Sequence, residues 1–291
     1  MLFANAIRHG GVLVSVLVVG ASGAIGGRVL AGLLRRGVKV SATSRTPERL
    51  SLPDHTALFP ADLNDPESFS PALVGVERVF LYADLAEPEA LLGVVAAAGV
   101  RHVVLLSSSA VTFAGAAADF NGARFLRVER AVVESGLGWT FLRPGVFASN
   151  AARWSWGIRG DGSVPLPYPE TVQVPVHEAD IADVAVVALT GDALIGRKPV
   201  LTGPERLTLR QQVSIIGAAV GREISVVEQT EAQSAALLSR YVSEEWVRQI
   251  IKDWREAVGA APAVSDDYTR ITGRPARSFG TWVADHVDLF R

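Results

Sequence analysis

Leu13-Val-Ser-Val-Leu-Val-Val19 runs directly into Gly20-Ala-Ser-Gly-Ala-Ile-Gly26, and this junction decides the fold. The apolar run is typical of a strand buried in a parallel sheet. Glycines spaced as GxxGxxG permit a tight turn and a close approach of backbone to a pyrophosphate, which then lies at the N-terminus of the following helix. We predict a dinucleotide-binding loop here; the alternative is an ordinary strand-to-helix turn. The predicted contacts are Gly20, Ser22, Gly23, Ala24, Ile25 and Gly26.

Strand and helix patterns alternate through the first half of the chain. The sequence predicts helices over residues 25–36, 88–98 and 123–135, and further strands over residues 38–43, 78–83, 102–107 and 139–142. This alternation is typical of an α/β protein with a Rossmann-like, doubly wound parallel sheet. From Ala151 onward an aromatic, proline-rich segment replaces it, and a single long helix is predicted over residues 231–258. We expect a nucleotide-binding domain over residues 1–150 and a smaller, mainly substrate-binding lobe over residues 151–291, partly interleaved with it.

Composition narrows the classes of function. The 291 residues include no cysteine and five scattered histidines, which excludes thiolate catalysis and gives no spacing for a metal site. A net charge of −2 offers no attraction to nucleic acid, and the apolar run at residues 12–19 is too short to span a membrane. We expect a cytoplasmic protein with a small-molecule partner, and we interpret residues 1–11 as a dispensable leader.

The end of the second predicted strand indicates which nucleotide is bound. No Asp or Glu occurs between Gly20 and Glu48, so the carboxylate that would bind the ribose 2′-hydroxyl of NAD is missing. Ser44 and Arg45 stand there instead, and a guanidinium can clamp a 2′-phosphate through charge-assisted hydrogen bonds. We predict NADP(H) as the cofactor; the alternative for Arg45 is a solvated loop cation.

A general acid is missing from the place where short-chain dehydrogenases keep one. The only lysines are Lys39, Lys198 and Lys252, and none of them has a tyrosine four residues before it. The Tyr-x-x-x-Lys pair normally supplies the proton that accompanies hydride transfer to a carbonyl. The function therefore has to be explained without that pair.

The chain resembles the atypical short-chain dehydrogenases of the NmrA-like and triphenylmethane-reductase-like group over nearly its whole length. Besides the glycine loop, the resemblance is carried by Arg45-Thr-Pro-Glu48, Ala61-Asp-Leu63, Val104-Leu-Leu-Ser-Ser108, Trp139-Thr-Phe-Leu-Arg-Pro-Gly145 and His177-Glu-Ala-Asp-Ile-Ala182. It implies a Rossmann-like fold that binds NAD(P)(H), either in a reductase of quinones, dyes or ketones or in a redox-sensing regulator without turnover. A narrower similarity is to actinobacterial ketoreductases that tailor aromatic polyketides, such as the angucyclinone of simocyclinone.

The resemblance also implies roles for single residues. Relatives with the pair place its lysine four residues, and its tyrosine eight residues, before a glutamate that corresponds to Glu129, so Phe125 and Asn121 stand in those positions. Ser109 lies where such enzymes keep a hydroxyl that orients the substrate carbonyl; alternatively it caps the end of a strand. The remaining cofactor contacts implied are Asp62, Leu63, Ala83, Ser107 and Pro144, and Asp62 could equally cap its own turn.

Two mechanisms are compatible with the missing acid. Either hydride passes to an acceptor that needs little help, such as a quinone or a ketone beside a phenol, or the nucleotide only switches the binding of a partner. Tyr82 and Tyr168 are candidates for a substitute acid, and Arg124 and Arg127 for steadying an oxyanion. His177 is interpreted as part of a structural turn.

An aromatic segment favours the first mechanism. Phe147, Trp154, Trp156 and Tyr168 could form a hydrophobic wall for a polycyclic substrate, or they could pack the second lobe. The leading hypothesis is an NADPH-dependent reductase that acts on a carbonyl of a polycyclic aromatic ketone, as in the biosynthesis of a polyketide antibiotic. The alternatives are a quinone reductase and a non-catalytic NAD(P)-sensing regulator.

Overall fold

The computed structural model describes residues 8–9, 12–50, 52–53 and 56–291, and the chain divides into two compact units. The first unit is Met1–Pro144, Glu178–Val200 and Arg270–Gly273; the second is Gly145–His177, Leu201–Thr269 and Arg274–Arg291. The first unit thus takes in two segments that follow residue 150. Of the leader predicted at residues 1–11, only Arg8–His9 is described, as a strand antiparallel to Val12–Leu13, and the rest lies outside the described residues.

Strands and helices are numbered in chain order. The strands are β1 Arg8–His9, β2 Val12–Leu13, β3 Ser15–Val18, β4 Lys39–Ser44, β5 Ala57–Pro60, β6 Arg78–Tyr82, β7 His102–Leu106, β8 Gly138–Pro144, β9 Ser163–Leu166, β10 Val172–Gln173, β11 Val200–Leu201, β12 Leu207–Thr208 and β13 Ser225–Glu228. The α-helices are α1 Ala24–Arg35, α2 Pro88–Ala97, α3 Phe120–Glu134, α4 Ser155–Gly160, α5 Glu178–Thr190, α6 Leu209–Val220, α7 Glu231–Leu238, α8 Glu244–Glu256, α9 Asp267–Thr272 and α10 Phe279–Asp285. Short 3-10 helices cover Pro47–Arg49, Pro66–Leu73, Ser109–Thr112, Ala148–Trp154 and Val287–Leu289.

The main sheet confirms the predicted Rossmann-like fold. Its strand order is β11-β8-β7-β6-β3-β4-β5, and the pairings from β8 through β5 are parallel. Within this sheet the chain enters at the central strand β3 and adds β4 and then β5 on one side. It then crosses back and adds β6, β7 and β8 on the other side. Because the winding reverses between β3 and β6, their carboxyl ends open the crevice where sheets of this kind bind ligands.

Apolar strands and helix α5, which follows much later in the chain, form the core of the first unit. Every residue of β3 and β7 is buried, as expected for strands that are covered on both faces. Helix α5 is largely buried and packs along α1. At their contact a Cβ added to Gly32 would lie 2.8 Å from Val186 Cγ2, so glycine is what lets the two helices approach so closely.

The second unit has its own hydrophobic cluster and shows one sequence prediction to be wrong. Trp154, Ile216, Trp254 and Trp282 are among the side chains that form the cluster. The single helix predicted over residues 231–258 is two helices, α7 and α8, separated by residues 239–243. The break has a local cause, because the Ser243 side chain accepts a hydrogen bond from the backbone of Trp246 and caps a new helix.

Candidate functional site

The glycine loop lies at the reversal point of the sheet, between β3 and α1. Gly20 has a φ of +69°, a left-handed conformation that favours glycine. A Cβ added to Gly26 would lie 2.3 Å from the carbonyl oxygen of Gly20, so no side chain fits there. Residues 22–24 are exposed, and α1 begins without a side-chain cap, whereas the side chain of Ile25 is buried. The first two N–H groups of α1, those of Ala24 and Ile25, are therefore left to an anion from solution.

Tyr82, at the end of β6, supports this loop. Its hydroxyl accepts a hydrogen bond from the backbone N–H of Gly26 at 2.9 Å, and a Cβ on Gly20 would lie 2.9 Å from the Tyr82 ring. Burial raises the pKa of the Tyr82 hydroxyl above its ordinary value. Tyr82 is thus a neutral support of the loop, and its role as the substitute acid stays a prediction. The sequence shows only that Tyr82 lies in a predicted strand; the neighbourhood of that strand and β3 comes from the structure.

An exposed cation follows β4 beside the loop. The carbonyl of Thr43 accepts a hydrogen bond from the N–H of Ala21 at 3.3 Å, which holds the end of β4 against the glycine loop. Ser44 is buried and its hydroxyl accepts from the N–H of Thr46 at 3.1 Å. The side chain of Arg45 is exposed and makes no hydrogen bond or ion pair to any other described residue. No carboxylate of the described residues competes with an anion for its guanidinium.

Asp62 and Leu63 have structural roles in the loop after β5. Asp62 Oδ1 accepts hydrogen bonds from the backbone N–H and the side-chain amide of Asn64, at 3.0 and 3.1 Å. This is the turn-capping alternative, and it occupies one of the two carboxylate oxygens. Leu63 is half-buried against the core cluster of the first unit. The other predicted contacts, Ala83 and Pro144, are buried at the carboxyl ends of β6 and β8.

A buried polar network follows β7. The Ser107 hydroxyl donates a hydrogen bond to Glu129 Oε1 at 2.7 Å, and Arg143 binds both oxygens of Glu129 through its Nε and Nη2, at 2.9 and 2.5 Å. Ser107 and Glu129 are 3% and 4% exposed. Because its proton is committed to Glu129, the Ser107 hydroxyl can act toward a ligand only as a hydrogen-bond acceptor. The sequence did not indicate this role for Glu129 and Arg143.

The positions of the missing acid hold no replacement. Phe125 is half-buried against the core cluster. The Oδ1 atom of Asn121 is buried and has no hydrogen-bond partner among the residues that the structure describes, and an amide cannot release a proton at neutral pH. Arg124 forms an ion pair with Asp84, and Arg127 donates to the carbonyls of the loop after β6 at 2.7 and 3.1 Å. Both arginines therefore fix that loop, and the prediction that they steady an oxyanion finds no support in these contacts.

Ser108, rather than Ser109, caps the backbone after β7. The Ser108 hydroxyl accepts from the N–H of Ala110 at 3.1 Å, and the side chain of Ser109 is half-buried. The capping alternative for Ser109 is therefore wrong, and its role in orienting a substrate stays a prediction.

The four aromatic residues predicted to bind substrate belong to the second unit and differ in environment. Trp154 is 6% exposed within the hydrophobic cluster, which is the core-packing alternative. Tyr168 packs against the same cluster and its hydroxyl donates to Glu231. Phe147 is half-buried and bridges to Val176, whereas Trp156 is 83% exposed. These residues do not share one environment, and Tyr168 already has an acceptor for its proton.

His177 is paired with a carboxylate inside the second unit. His177 is buried in the second unit with its Nε2 3.2 Å from a carboxylate oxygen of Asp285, in agreement with a structural interpretation. Across the described part of the chain, no group of three or more His, Asp or Glu side chains could hold a metal ion. In the same part, no helix has both the length and the apolar character to cross a membrane.

Similarity to known proteins identifies the family. A family model described as NAD(P)H-binding matches residues 20–192, more than half of the chain. The chain belongs to this NAD(P)H-binding family. This family member is 38% identical over 283 residues to the (4-alkanoyl-5-oxo-2,5-dihydrofuran-3-yl)methyl phosphate reductase of Streptomyces griseus, with 94% of this chain and 99% of the relative covered. It is 30% identical over 290 residues to the NAD(P)H azoreductase of Xenophilus azovorans, with 94% and 99% covered.

Solved structures confirm the fold of the family member. The NADPH-dependent quinone oxidoreductase of Escherichia coli, crystallised with NADPH, has a TM-score of 0.78 at 20% identity, covering 95% of this chain and 100% of that one. The triphenylmethane reductase of Citrobacter sp., complexed with NADP(H), has a TM-score of 0.75 at 20% identity, with 94% and 99% covered. The negative transcriptional regulator NmrA has a TM-score of 0.73 at 17% identity, with 94% and 96% covered. The predicted likeness to NmrA and to the triphenylmethane reductase is confirmed for the fold.

Proposed function

We propose that this NAD(P)H-binding protein is an NADPH-dependent reductase that delivers hydride to a carbonyl of a polycyclic aromatic ketone without a tyrosine–lysine acid. The observation that carries the cofactor choice is the exposed guanidinium of Arg45 beside the glycine loop, which has no ion-pair partner among the described residues and stands where NAD-binding proteins keep a carboxylate. A 2′-phosphate there would gain charge-assisted hydrogen bonds and face no acidic side chain between Gly20 and Glu48.

In the proposed complex, different residues of the first unit bind different parts of the cofactor. NADPH, when bound, supplies the hydride. The N–H groups at the start of α1 bind the pyrophosphate, and Tyr82 keeps the loop in the conformation that exposes them. Ser107 presents an acceptor, which suits the NH₂ of a carboxamide such as that of nicotinamide. Because Asn121 and Phe125 cannot supply a proton, the acceptor draws it from its own hydroxyl or from water.

The acceptors named for the relatives support a mechanism without an enzyme acid. An unsaturated lactone that carries an acyl group, an azo dye and a quinone all spread the incoming negative charge over a conjugated system. Such acceptors need less help from a positioned proton donor than an isolated ketone does. This observation favours a second candidate function, the reduction of a quinone or a similarly conjugated acceptor, on the same cofactor site.

A nucleotide-sensing regulator is the rival from another class, and the likeness in fold to NmrA is the observation that favours it. Such a protein would bind both redox forms of the nucleotide and consume neither. The identity of 30% or more with two reductases over nearly the whole chain favours an enzyme instead.

The test follows the consumption of NADPH optically with a panel of phenolic polycyclic ketones, methylated counterparts of those ketones, and quinones. Turnover of the phenolic ketones alone supports the proposed ketone reductase, and turnover of quinones alone supports the second candidate. Tight binding of NADPH without turnover of any acceptor would contradict both. In the same assay Asn121→Ala should keep most of the activity, whereas a loss of several orders of magnitude would show that Asn121 takes part in the chemistry.

A further inference from the structure

The 3-10 helix Ala148–Trp154 of the second unit has one side in the core and another side facing water. Its buried side chains recur at every third position and are those of Ala148, Ala151 and Trp154. In a 3-10 helix, side chains three residues apart lie above one another. Asn150 and Arg153 therefore share one of the other sides of this helix, and both residues are exposed.

The same row of side chains continues to Trp156, which lies three residues beyond Arg153 in the first turn of α4. Side chains at this spacing are also neighbours on the surface of an α-helix. Trp156 is 83% exposed. So large an apolar surface facing water is informative, because tryptophan is highly buried on average. The row thus presents an amide, a guanidinium and an indole side by side.

Two tryptophan rings hold the guanidinium of Arg153 in place. Its Cζ atom lies 5.0 Å from the centre of the Trp254 ring and 5.7 Å from the centre of the Trp154 ring. Both indoles are buried in the hydrophobic cluster of the second unit. The hydroxyl of buried Thr171 donates to the carbonyl of Trp254 at 2.7 Å, which fixes the helix backbone that carries this ring. The cation is therefore supported by packed side chains, as a binding residue requires.

Among the described residues, no carboxylate pairs with this cation. Arg153 makes no hydrogen bond or ion pair to any residue that the structure describes. Burial lowers the pKa of its guanidinium to about 10, whereas a neighbouring carboxylate would raise that pKa, and the group stays charged at neutral pH. Because the side chain is nevertheless exposed, the guanidinium is surrounded by protein on some sides and open to water on others. Its N–H donors are thus available to an oxyanion.

We propose that Asn150, Arg153 and Trp156 bind a planar conjugated molecule that carries a carboxylate or a phosphate group. The guanidinium of Arg153 and the amide of Asn150 donate to the oxyanion, and the indole of Trp156 stacks on the ring system. The proposal rests on the proposed reductase function and adds that the hydride acceptor is an anion. Of the four aromatic residues that the sequence predicted to bind substrate, it assigns a contact to Trp156 alone.

Equilibrium dialysis of 2-naphthoate and 2-naphthamide against the full-length protein saturated with NADP⁺ tests the site without requiring turnover. The two probes share a ring system and differ in charge, and neither of them accepts hydride. We expect Arg153→Gln to weaken the binding of naphthoate roughly ten- to a hundredfold, because only this probe forms charge-assisted hydrogen bonds, and to leave the binding of naphthamide nearly unchanged. Trp156→Ala should weaken the binding of both probes alike, by up to about tenfold.

Arg240→Gln is the matched control, because Arg240 is exposed in the second unit and precedes α8, at the opposite end of that helix from Trp254. This variant should bind both probes like the wild type. Arg153→Lys keeps the charge without the planar fork of donors and guards against loss of folding. Its affinity for naphthoate should lie between those of the wild type and Arg153→Gln.

The outcomes separate this site from the proposed function. If naphthoate binding depends on Arg153 but no acceptor is reduced, the site stands and the reductase function fails. If quinones with and without a carboxylate are reduced with the same KM by the wild type and by Arg153→Gln, the site is wrong and the function stands. Equal affinity of the wild type for the two probes would also overturn the site. Displacement of naphthoate by inorganic phosphate, with Trp156→Ala binding like the wild type, would show a site for a free oxyanion and overturn the assignment to a conjugated molecule.

Discussion

Arg45 is the residue at which cofactor choice is decided, and it gives the sharpest prediction. Arg45→Ala removes the only cation proposed for the 2′-phosphate, while the glycine loop keeps its hold on the pyrophosphate. A hydrogen bond to a charged group contributes about 1.5–3 kcal/mol, so we expect the Kd for NADPH to rise roughly ten- to a hundredfold. The Kd for NADH should change little. Titration of the protein fluorescence with each nucleotide measures both constants.

The matched control is Arg35→Ala, which removes the same charge from an exposed position in the last turn of α1. It lies at the other end of the helix from the glycine loop, so it should change the affinity for the two nucleotides equally and only slightly. Equal losses of NADPH and NADH binding in Arg45→Ala would contradict the assignment of the 2′-phosphate.

Tyr82 distinguishes a support of the loop from an acid. Tyr82→Phe keeps the ring against Gly20 and removes only the hydroxyl that accepts from Gly26. The loss of one hydrogen bond, about 0.5–1.5 kcal/mol, should weaken the binding of NADPH by up to roughly tenfold. The kcat and its pH profile should stay as in the wild type, because the buried, raised-pKa hydroxyl is not titrated near neutrality. A collapse of kcat with intact nucleotide binding would restore Tyr82 as the acid.

At the scale of elements, local sequence patterns were sufficient to predict the strands and helices of the nucleotide-binding half but not those of the second unit. The apolar runs and glycines fixed β3, α1 and their junction, because strand burial and the turn both depend on neighbours in sequence. The break between α7 and α8 was missed because apolar residues recur at helical spacing through it, although Tyr241, which lies within the break, is 84% exposed. The support of Gly26 by Tyr82 joins residues 56 positions apart, and no single-sequence pattern carries such a contact.

A buried cluster at the amino ends of β6 and β7 is expected to set the acid stability. His102 Nε2 lies 3.0 Å from Thr140 Oγ1, whose own proton goes to the carbonyl of Leu194, so Nε2 is the donor. Arg78 Nη1 lies 3.5 Å from Nδ1 and can only donate, so Nδ1 is the acceptor and His102 is neutral. Burial, and then the neighbouring Arg78, lower the pKa of His102 to about 4. The unfolded chain, with a histidine pKa near 6.5, takes up this proton first, so stability falls as the pH falls from 6.5 to 4.

The free energy of unfolding should fall by about 3 kcal/mol between pH 6.5 and pH 4, because each pKa unit corresponds to 1.36 kcal/mol. Urea unfolding at a series of pH values measures it. In His102→Asn, the contribution of this residue to the slope of the unfolding free energy against pH should disappear, even if the variant is less stable at neutral pH. An identical slope in wild type and variant would show that other groups govern the acid stability.

At the scale of the whole molecule, the nucleotide-binding unit is discontinuous in sequence, and this makes a prediction about fragments. Residues 1–150 include the glycine loop and Arg45 but lack α5, which is largely buried and packs on α1. Without it, the face of α1 around Gly32, which packs against Val186, would be exposed to water. We expect this fragment to unfold without cooperativity and to bind no NADPH. Joining residues 178–200 to it through a flexible linker should restore a cooperative transition and measurable binding, whereas NADPH affinity equal to that of the full chain in the shorter fragment would show that α5 is dispensable.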